Sequence, residues 1–395
     1  MVRAELPTLV LLMVLASLVA MHFAVPGSPE TGTFLGICVK SNAGYSILYN
    51  GTDTVLVPEG LESGRIYRIM GRIVGEGGLS RVSGGYRVEP VNTTPSWAET
   101  VRGFYWVKGD RAYVLSPRWT ELSAPLDAPK GSKIRVVGVL YGSKLYPLEY
   151  DVIGEPNGEL KDGKPAQIEG VVLGHFGADN LAVVWSEGKR IYAYLPYGAS
   201  IDPGLRVRIL GRVRLTSRIN IYVDSVEDFE VLGTPDPVPI NGSTIGEVGE
   251  GKCRVVKITK GGLRLDCTEL VLRGISARTG DLLNIKALNA GSYLRCLDCR
   301  VEEPRENLPN EICNPVEGKF SRISGDVEWV KVYRNGFGLA NVTRGSCWVL
   351  LKLPKSLGIT VSEGEHVSAY GFFTTYRGKP AFEVSSGDDL CSGNC

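Results

Sequence analysis

The chain has 395 residues, and 44 lysines and arginines against 43 aspartates and glutamates leave a net charge of +1. That balance excludes a uniformly basic, polyanion-binding tail, so any attraction for nucleic acid or another polyanion must be local. Length alone suggests two or three domains, while 49 glycines and 22 prolines suit many short strands joined by turns, and a single glutamine, Gln167, in so charged a chain is in keeping with heat adaptation.

The N-terminus addresses the chain. Leu6 to Gly27 contains no Lys, Arg, Asp or Glu and follows Arg3. The run is about long enough to cross a bilayer as a helix. Residues 1–30 therefore read as a signal-anchor, with a signal peptide cleaved after Gly27 as the alternative. Either would export the remainder, and the first would hold it at the cell membrane.

Beyond this segment one phrase recurs: Gly64-RIYRIM-Gly71, Gly131-SKIRVV-Gly138, Gly204-LRVRIL-Gly211, Gly280-DLLNIK-Ala287 and Gly364-EHVSAY-Gly371. The copies lie 67 to 84 residues apart, one small domain each. A period of this kind marks a tandem array and overrides the estimate from length. The expected repeats span 31–93, 96–156, 165–233, 244–305 and 313–391. Units of that size are near the lower limit for a self-sufficient core and are expected to lean on each other or on cross-links.

In chain order, repeat 1 offers strands at Phe34-Leu-Gly36-Ile, Tyr45 to Tyr49, Thr54 to Val57, Arg65 to Val74 and Tyr86 to Val91. Repeat 2 is looser, with Val101-Arg-Gly103-Phe and Tyr113-Val-Leu. Repeat 3 is clearest: Ile168-Glu-Gly170-Val-Val-Leu173, Leu181 to Trp185, Ile191 to Leu195, the Gly204 phrase, and Ile219 to Val223. A glycine inside a strand marks a bulge or a close backbone approach. Within the phrase, Arg206, Arg208, Arg212 and Arg214 alternate with Val207, Ile209, Gly211 and Val213, so strand parity puts the four arginines on one face. Arg218 continues the basic patch into a loop. Tyr192 and Tyr194 alternate with Ile191, Ala193 and Leu195, and face outward if the aliphatic set faces the core. A cationic face beside stacking rings is what sequence-tolerant single-strand binding needs, and it would also attract an anionic glycan. The opposing reading is an outward arginine row ion-paired to acids such as Asp224, Glu227, Asp228 and Glu230.

Repeat 4 offers strands at Arg254 to Ile258 and Leu263 to Cys267. Gly246-EVGE-Gly251-Lys252-Cys253 matches a phosphate-binding loop except at Cys253, but it leads into a strand where that loop must open a helix. Repeat 5 offers Val316-Glu-Gly318-Lys-Phe, Val327 to Tyr333, Cys347 to Leu353, Gly364 to Phe373 and Ala381 to Val384.

Eight of the nine cysteines follow residue 250. In an oxidising compartment they read as disulfides. Cys253 and Cys267 are equidistant from the turn at Lys260 and are expected to pair across a hairpin. Cys296 with Cys299, Cys313 with Cys347, and Cys391 with Cys395 are further candidates, which leaves Cys38 odd. A zinc site is the alternative for the four cysteines of repeat 4. Asn50, Asn92, Asn241 and Asn341 begin Asn-x-Ser/Thr sequons, each a candidate glycosylation site.

The order h-x-Gly-x-h, hairpin, Gly-x6-Gly-x-h, closing strand resembles the OB-fold, over about residues 33 to 390. The resemblance implies an all-β chain: a tandem array of five small five-stranded Greek-key barrels after the N-terminal hydrophobic helix. OB domains bind single-stranded nucleic acid, oligosaccharide or protein, or serve as structure, and the fold does not choose among these.

Only three histidines occur, His22, His175 and His366, and neither His-Glu-x-x-His nor Gly-x-Ser-x-Gly is present. The expectation is a chain that is not an enzyme and takes no cofactor or metal. It is read as an exported, membrane-anchored scaffold or interaction protein, with a protein partner or a second copy as its associate. The alternative is extracytoplasmic binding of single-stranded nucleic acid or another polyanion through repeat 3.

Overall fold

The computed structural model describes residues 31–76 and 79–393; the apolar run at residues 6–27 and Cys395 lie outside them. Among the described residues the helical content is six three-residue 3-10 turns, and no helix is long and apolar enough to cross a membrane. The rest is strand and turn, so the all-β expectation holds. The chain divides into two compact units, Met1–Gln167 and Ile168–Cys395.

The first unit holds two closed barrels. One is built from β1 (Thr31–Ser41), β2 (Ser46–Tyr49), β3 (Thr54–Val57), β4 (Ile66–Glu76) and β5 (Leu79–Val91). The other uses β6 (Glu99–Lys108), β7 (Arg111–Ser116), β8 (Arg118–Leu122), β9 (Lys133–Tyr141) and β10 (Lys144–Gly154). Each barrel has its own apolar interior, around Leu48, Val55 and Ile69 in one and Val114, Ile134 and Leu145 in the other. A third apolar cluster joins Ile37, Val39 and Ile66 to Val139 and Tyr146, and the Tyr146 hydroxyl donates to the Val39 carbonyl at 2.6 Å. The two barrels thus lean on each other, as their size requires.

The second unit holds three more barrels, each with an added strand. The third barrel is β11 (Pro165–Phe176), β12 (Leu181–Ser186), β13 (Lys189–Tyr194), β14 (Arg206–Leu215) and β15 (Ile219–Tyr222), with β16 (Phe229–Gly233) along β14. In the fourth, β17 (Val238–Pro239) lies along β18 (Val248–Thr259), followed by β19 (Gly262–Leu265), β20 (Leu272–Arg273), β21 (Leu282–Asn289) and β22 (Leu294–Glu303). The fifth is β23 (Phe320–Val332), β24 (Gly338–Arg344), β25 (Cys347–Leu353), β26 (His366–Tyr376) and β27 (Lys379–Glu383), with β28 (Leu390–Ser392) along β26. Every barrel follows the order 1-2-3-5-4, closing from its fourth strand to its first. Within that order the third and fifth strands run parallel and the other neighbours antiparallel, while the added β17 runs parallel to β18.

The recurring phrase has one structural cause. Its first glycine, at 64, 131, 204, 280 and 364, has φ between +81° and +99°, a region glycine enters without the Cβ penalty. From there its N–H donates at 2.7–2.8 Å to a first-strand carbonyl: Cys38, Tyr105, Val172, Val255 or Val327. The second glycine lies under the fifth strand. A Cβ at Gly138 would come 2.4 Å from the Tyr146 carbonyl oxygen, and at Gly371 2.1 Å from that of Glu383. In repeat 4 the position is Ala287, which is fully buried.

One expectation needs correction, and one strand is shorter than its counterparts. In repeat 5 the first strand does not centre on Gly318, which precedes it with φ +75°. The mid-strand glycine is Gly325, whose Cβ would meet the Thr343 carbonyl at 2.3 Å, so Val327 to Val332 continues the first strand and β24 is the second. Both glycines fit h-x-Gly, and only pairing distinguishes them. In repeat 4 the third strand shrinks to Leu272–Arg273.

Three disulfides are closed: Cys253–Cys267, Cys296–Cys299 and Cys313–Cys347, with Cα separations of 5.6, 5.9 and 5.1 Å. Cys391 is also disulfide-bonded. Cys38 is free and buried, and burial raises its thiol pKa. This cross-linking points to an oxidising, extracytoplasmic compartment.

Candidate functional site

The register of the third barrel divides the arginine row in two. Arg206 and Arg208 lie opposite Gly233 and Glu230 of β16, and carboxylates cover them. Arg206 reaches Glu169 at 3.0 Å, and Arg208 reaches Glu169 at 2.7 Å and Glu230 at 2.8 Å. Hydrogen bonds from Arg208 and then Arg206 hold the Glu169 carboxyl below its ordinary range. Arg212 and Arg214 lie instead opposite Tyr222 and Asn220 of β15. Arg212 is 3.7 Å from Asp224, and Arg214 is exposed.

β15 in turn pairs in parallel with β13, setting Tyr222 beside Tyr194 and Asn220 beside Tyr192. The core side of these strands is Ile191, Ala193 and Ile221, all buried, so the tyrosines point outward as strand parity requires. Tyr194 and Tyr222 stack, with centroids 4.9 Å apart and planes 7° apart. The Arg218 guanidinium lies 4.9 Å over the Tyr192 ring, a cation–π arrangement.

This face is one wall of a groove whose other wall is the fourth barrel. Arg190, Tyr192 and Arg218 meet Tyr293 and Arg295 around a cavity of about 380 Å³. Tyr293 and Arg295 also line an adjoining cavity of about 680 Å³ with Arg273 and Lys286. The Arg273 guanidinium stacks 4.3 Å over Tyr293, and Arg295 donates from Nη2 to the Tyr293 hydroxyl at 3.3 Å. The Arg295 Nε is buried and has no hydrogen-bond partner in the structure. Among the described residues none of Arg190, Arg218, Arg273 and Arg295 has a carboxylate within 4.0 Å, although Asp179, Asp202 and Asp298 reach the groove walls. Each guanidinium is held by a ring or a backbone carbonyl. Arg190 donates to the Ala290 carbonyl at 3.5 Å, and Arg273 to that of Gly261 at 2.9 Å. The positive charge of the groove is therefore not cancelled by paired acids.

Sequence reasoning reached Tyr192 and Arg218 but missed Arg190, Arg273, Tyr293 and Arg295. Tyr293 and Arg295 flank the start of β22, and no regular alternation marks them. Tyr194 stacks on Tyr222 rather than standing free for a ligand.

A Ser-His-Asp arrangement also escaped the sequence. Ser324 Oγ lies 2.9 Å from His366 Nε2, and His366 Nδ1 2.8 Å from Asp326. β23 and β26 bring them together, with Asp326 directly opposite His366. Nucleophilic catalysis needs a sheltered carboxylate, oxyanion donors and a substrate cavity. Here the Asp326 side chain is 73% exposed, and neither groove cavity opens on Ser324. The three residues tie two strands together.

Of the sequons, Asn92 and Asn241 are exposed and Asn50 is half-buried in a turn. Asn341 is a correction: it is buried in β24 and its Nδ2 donates to Glu328, which leaves the folded chain no room for a glycan there. Cys253, Asp266 and Cys267 bring ligand-type atoms together, but the two sulfurs are joined in a disulfide.

No protein-family model matches the chain, and no curated protein is similar to it. Among solved structures, the p204 HINb domain is similar at 10% identity over 59% of this chain and 97% of that one, with a TM-score of 0.19. A multidomain protein with nucleic acid binding domains from Streptococcus pneumoniae is similar at 13% identity over 56% and 73%, with a TM-score of 0.14. At such scores neither likeness carries weight for fold or function, and the reading below rests on the groove itself.

Proposed function

We propose that the chain is a non-catalytic, exported array of OB-like barrels that binds single-stranded nucleic acid in the groove between its third and fourth barrels. The observation that supports this is the groove's lining: four guanidiniums without carboxylate partners around Tyr192 and Tyr293. Single strands are held by cations that track the phosphates and rings that stack on bases, with little demand on sequence. The Arg206–Arg208 half of the row has no part in it, because Glu169 and Glu230 already occupy those guanidiniums. The apolar N-terminal segment and the disulfides favour an extracytoplasmic, membrane-held position for this activity.

The test is fluorescence anisotropy of a labelled oligothymidine of about a dozen nucleotides with the unreduced full chain, at about 50 and about 200 mM salt. Binding is expected to weaken steeply with salt. Arg218→Ala combined with Arg295→Ala should lower the logarithmic salt slope by about 0.7 for each phosphate no longer neutralised. Tyr293→Ala should weaken binding about 5- to 100-fold by removing a stacking surface. No binding at the lower salt, or unchanged affinity and slope in the double variant, would sink the proposal and return the array to the scaffold reading.

A further inference from the structure

We infer that Cys296–Cys299 is a thiol–disulfide exchange site, and that opening it releases the fourth barrel's wall from the third barrel. The pair sits across a β-bulge. Ala287 of β21 lies opposite Cys296, and Lys286 opposite Asp298, so Leu297 is the extra residue. Three positions along a regular strand would put two side chains on opposite faces. The extra residue resets that parity, and both cysteines pack against the apolar interior of the fourth barrel. Their bond, with a Cα separation of 5.9 Å, clasps the bulge that Leu297 occupies.

Leu297 is turned the other way, onto the third barrel. A Cβ on Gly204 would come 2.6 Å from its Cδ1 and 3.1 Å from its Cδ2. Gly204 is the first glycine of that barrel's phrase, and its N–H donates to the Val172 carbonyl at 2.8 Å. Only a residue without a side chain leaves room for the leucine there. The seating of Leu297 therefore depends on the bulge, and the bulge depends on the bond.

Cys296 is half-buried and lines the cavity of about 680 Å³ beside Leu297, whereas Cys299 is not part of that lining. Arg273, Lys286 and Arg295 line the same cavity against Asp202 and Asp298, and a cationic surround stabilises a thiolate. The reductant is a dithiol. Its first thiolate attacks Cys296 Sγ, the S–S bond breaks, a mixed disulfide forms on Cys296, and Cys299 leaves as a thiolate. Cys299 then takes up a proton, with the Lys286 carbonyl oxygen 3.8 Å from its sulfur as the acceptor. The second thiolate of the reductant attacks its own sulfur in the mixed disulfide and releases Cys296, which is protonated in turn. Two electrons pass to the cysteine pair, and the dithiol ends as a disulfide; exchange with an oxidised partner reverses both steps.

The fold tolerates this opening. The three closed disulfides span sequence separations of 14, 3 and 34. Cross-linking constrains the unfolded chain more as the loop lengthens, so Cys296–Cys299 contributes least to holding the chain folded. Arg295 directly precedes Cys296, so the groove wall moves with the bulge. That last consequence rests on the reading of the groove; the exchange does not.

The experiment equilibrates the full chain with graded ratios of reduced to oxidised dithiothreitol, alkylates the free thiols and maps them by mass spectrometry, beside amide hydrogen exchange. Cys296 and Cys299 are expected to be labelled while Cys253 and Cys267 remain joined, and a trapped mixed disulfide with glutathione is expected on Cys296. Over the same ratios, amide exchange around Gly204 should quicken severalfold while the core strands of the fifth barrel keep their protection. Cys296→Ser with Cys299→Ser should show the quickened exchange without reductant and no response to it. Leu297→Ala, which keeps the bond, should quicken exchange at Gly204 in the oxidised chain. Opening of Cys296–Cys299 only together with Cys253–Cys267, or only with loss of the whole fold, overturns the inference. So does opening that leaves exchange at Gly204 unchanged. No arm of the experiment uses nucleic acid, so failure of the groove to bind a strand leaves the inference standing.

Discussion

At the scale of single residues, Glu169 decides how much of the third barrel's arginine row is available. One carboxylate serves two guanidiniums, Arg206 and Arg208. Glu169→Gln should free Arg206, leave Arg208 with Glu230 as its one acid partner, and tighten oligothymidine binding severalfold at low salt, with a steeper salt slope; equal affinity and slope would show that the row lies out of the strand's reach. The pH dependence has a definite sign. Because the folded Glu169 pKa is lowered, its pairing is present above the ordinary glutamate range and is lost as pH falls through the lowered value. Acidification through that value should reproduce part of the effect of Glu169→Gln in the wild-type chain and add nothing in the variant.

Asp389 has the opposite sign. Burial raises its pKa, which the Arg305 guanidinium at 2.8 Å only partly offsets. Its contribution favours the folded state below the ordinary aspartate value and is lost as pH rises through the raised one. The melting temperature of wild type relative to Asp389→Asn should therefore rise on acidification. A difference that stays flat with pH would show that Asp389 keeps its ordinary pKa.

At the scale of elements, the Gly-x6-Gly phrase acts as a closure device. Its first glycine turns the chain and bonds to the first strand; its second lets the fourth strand pass under the fifth. Gly371→Ala should cost the second unit about 1–3 kcal/mol, the range for overpacking, because the Cβ would meet a backbone carbonyl at 2.1 Å. Gly364→Ala has open space around it and should cost less, about 1 kcal/mol, through its positive φ alone. Denaturant midpoints of the two variants check the order, and a reversed order would mean that the strands can separate at the crossing. The loose repeat 4 illustrates the same logic. Its third strand is short, and the Cys253–Cys267 bond spans its hairpin, so a covalent link stands where pairing is thin.

At the scale of the molecule, the barrels are small and are held by what joins them. In the second unit Arg305, in the segment between the fourth and fifth barrels, forms a buried pair with Asp389 and stacks 4.5 Å over Tyr370. Its own N–H donates to Asp281 of the fourth barrel. Arg305→Ala strips a buried carboxylate of its partner and should cost about 3–5 kcal/mol. Thermal unfolding monitored by the fluorescence of the fifth barrel's tryptophans checks it, and a loss under 1 kcal/mol would show that water replaces the guanidinium.

By itself the sequence determined the repeat, the strand alternation and the pairing of Cys253 with Cys267. Each follows from local geometry: the two-residue period of a strand, the φ that only glycine enters freely, and the symmetry of a hairpin about its turn. Only the tertiary structure decided which arginines are free. Glu169 lies 39 residues from Arg208, and Glu230 lies 22 residues away, so no window of sequence shows that they converge. The same holds for the first strand of repeat 5, where Gly318 and Gly325 look alike until one meets a partner carbonyl. It holds for the groove, whose second wall comes from the next barrel. Side-chain direction is written residue by residue along a strand, whereas charge cancellation and the shape of a site arise between strands that the chain brings together only on folding.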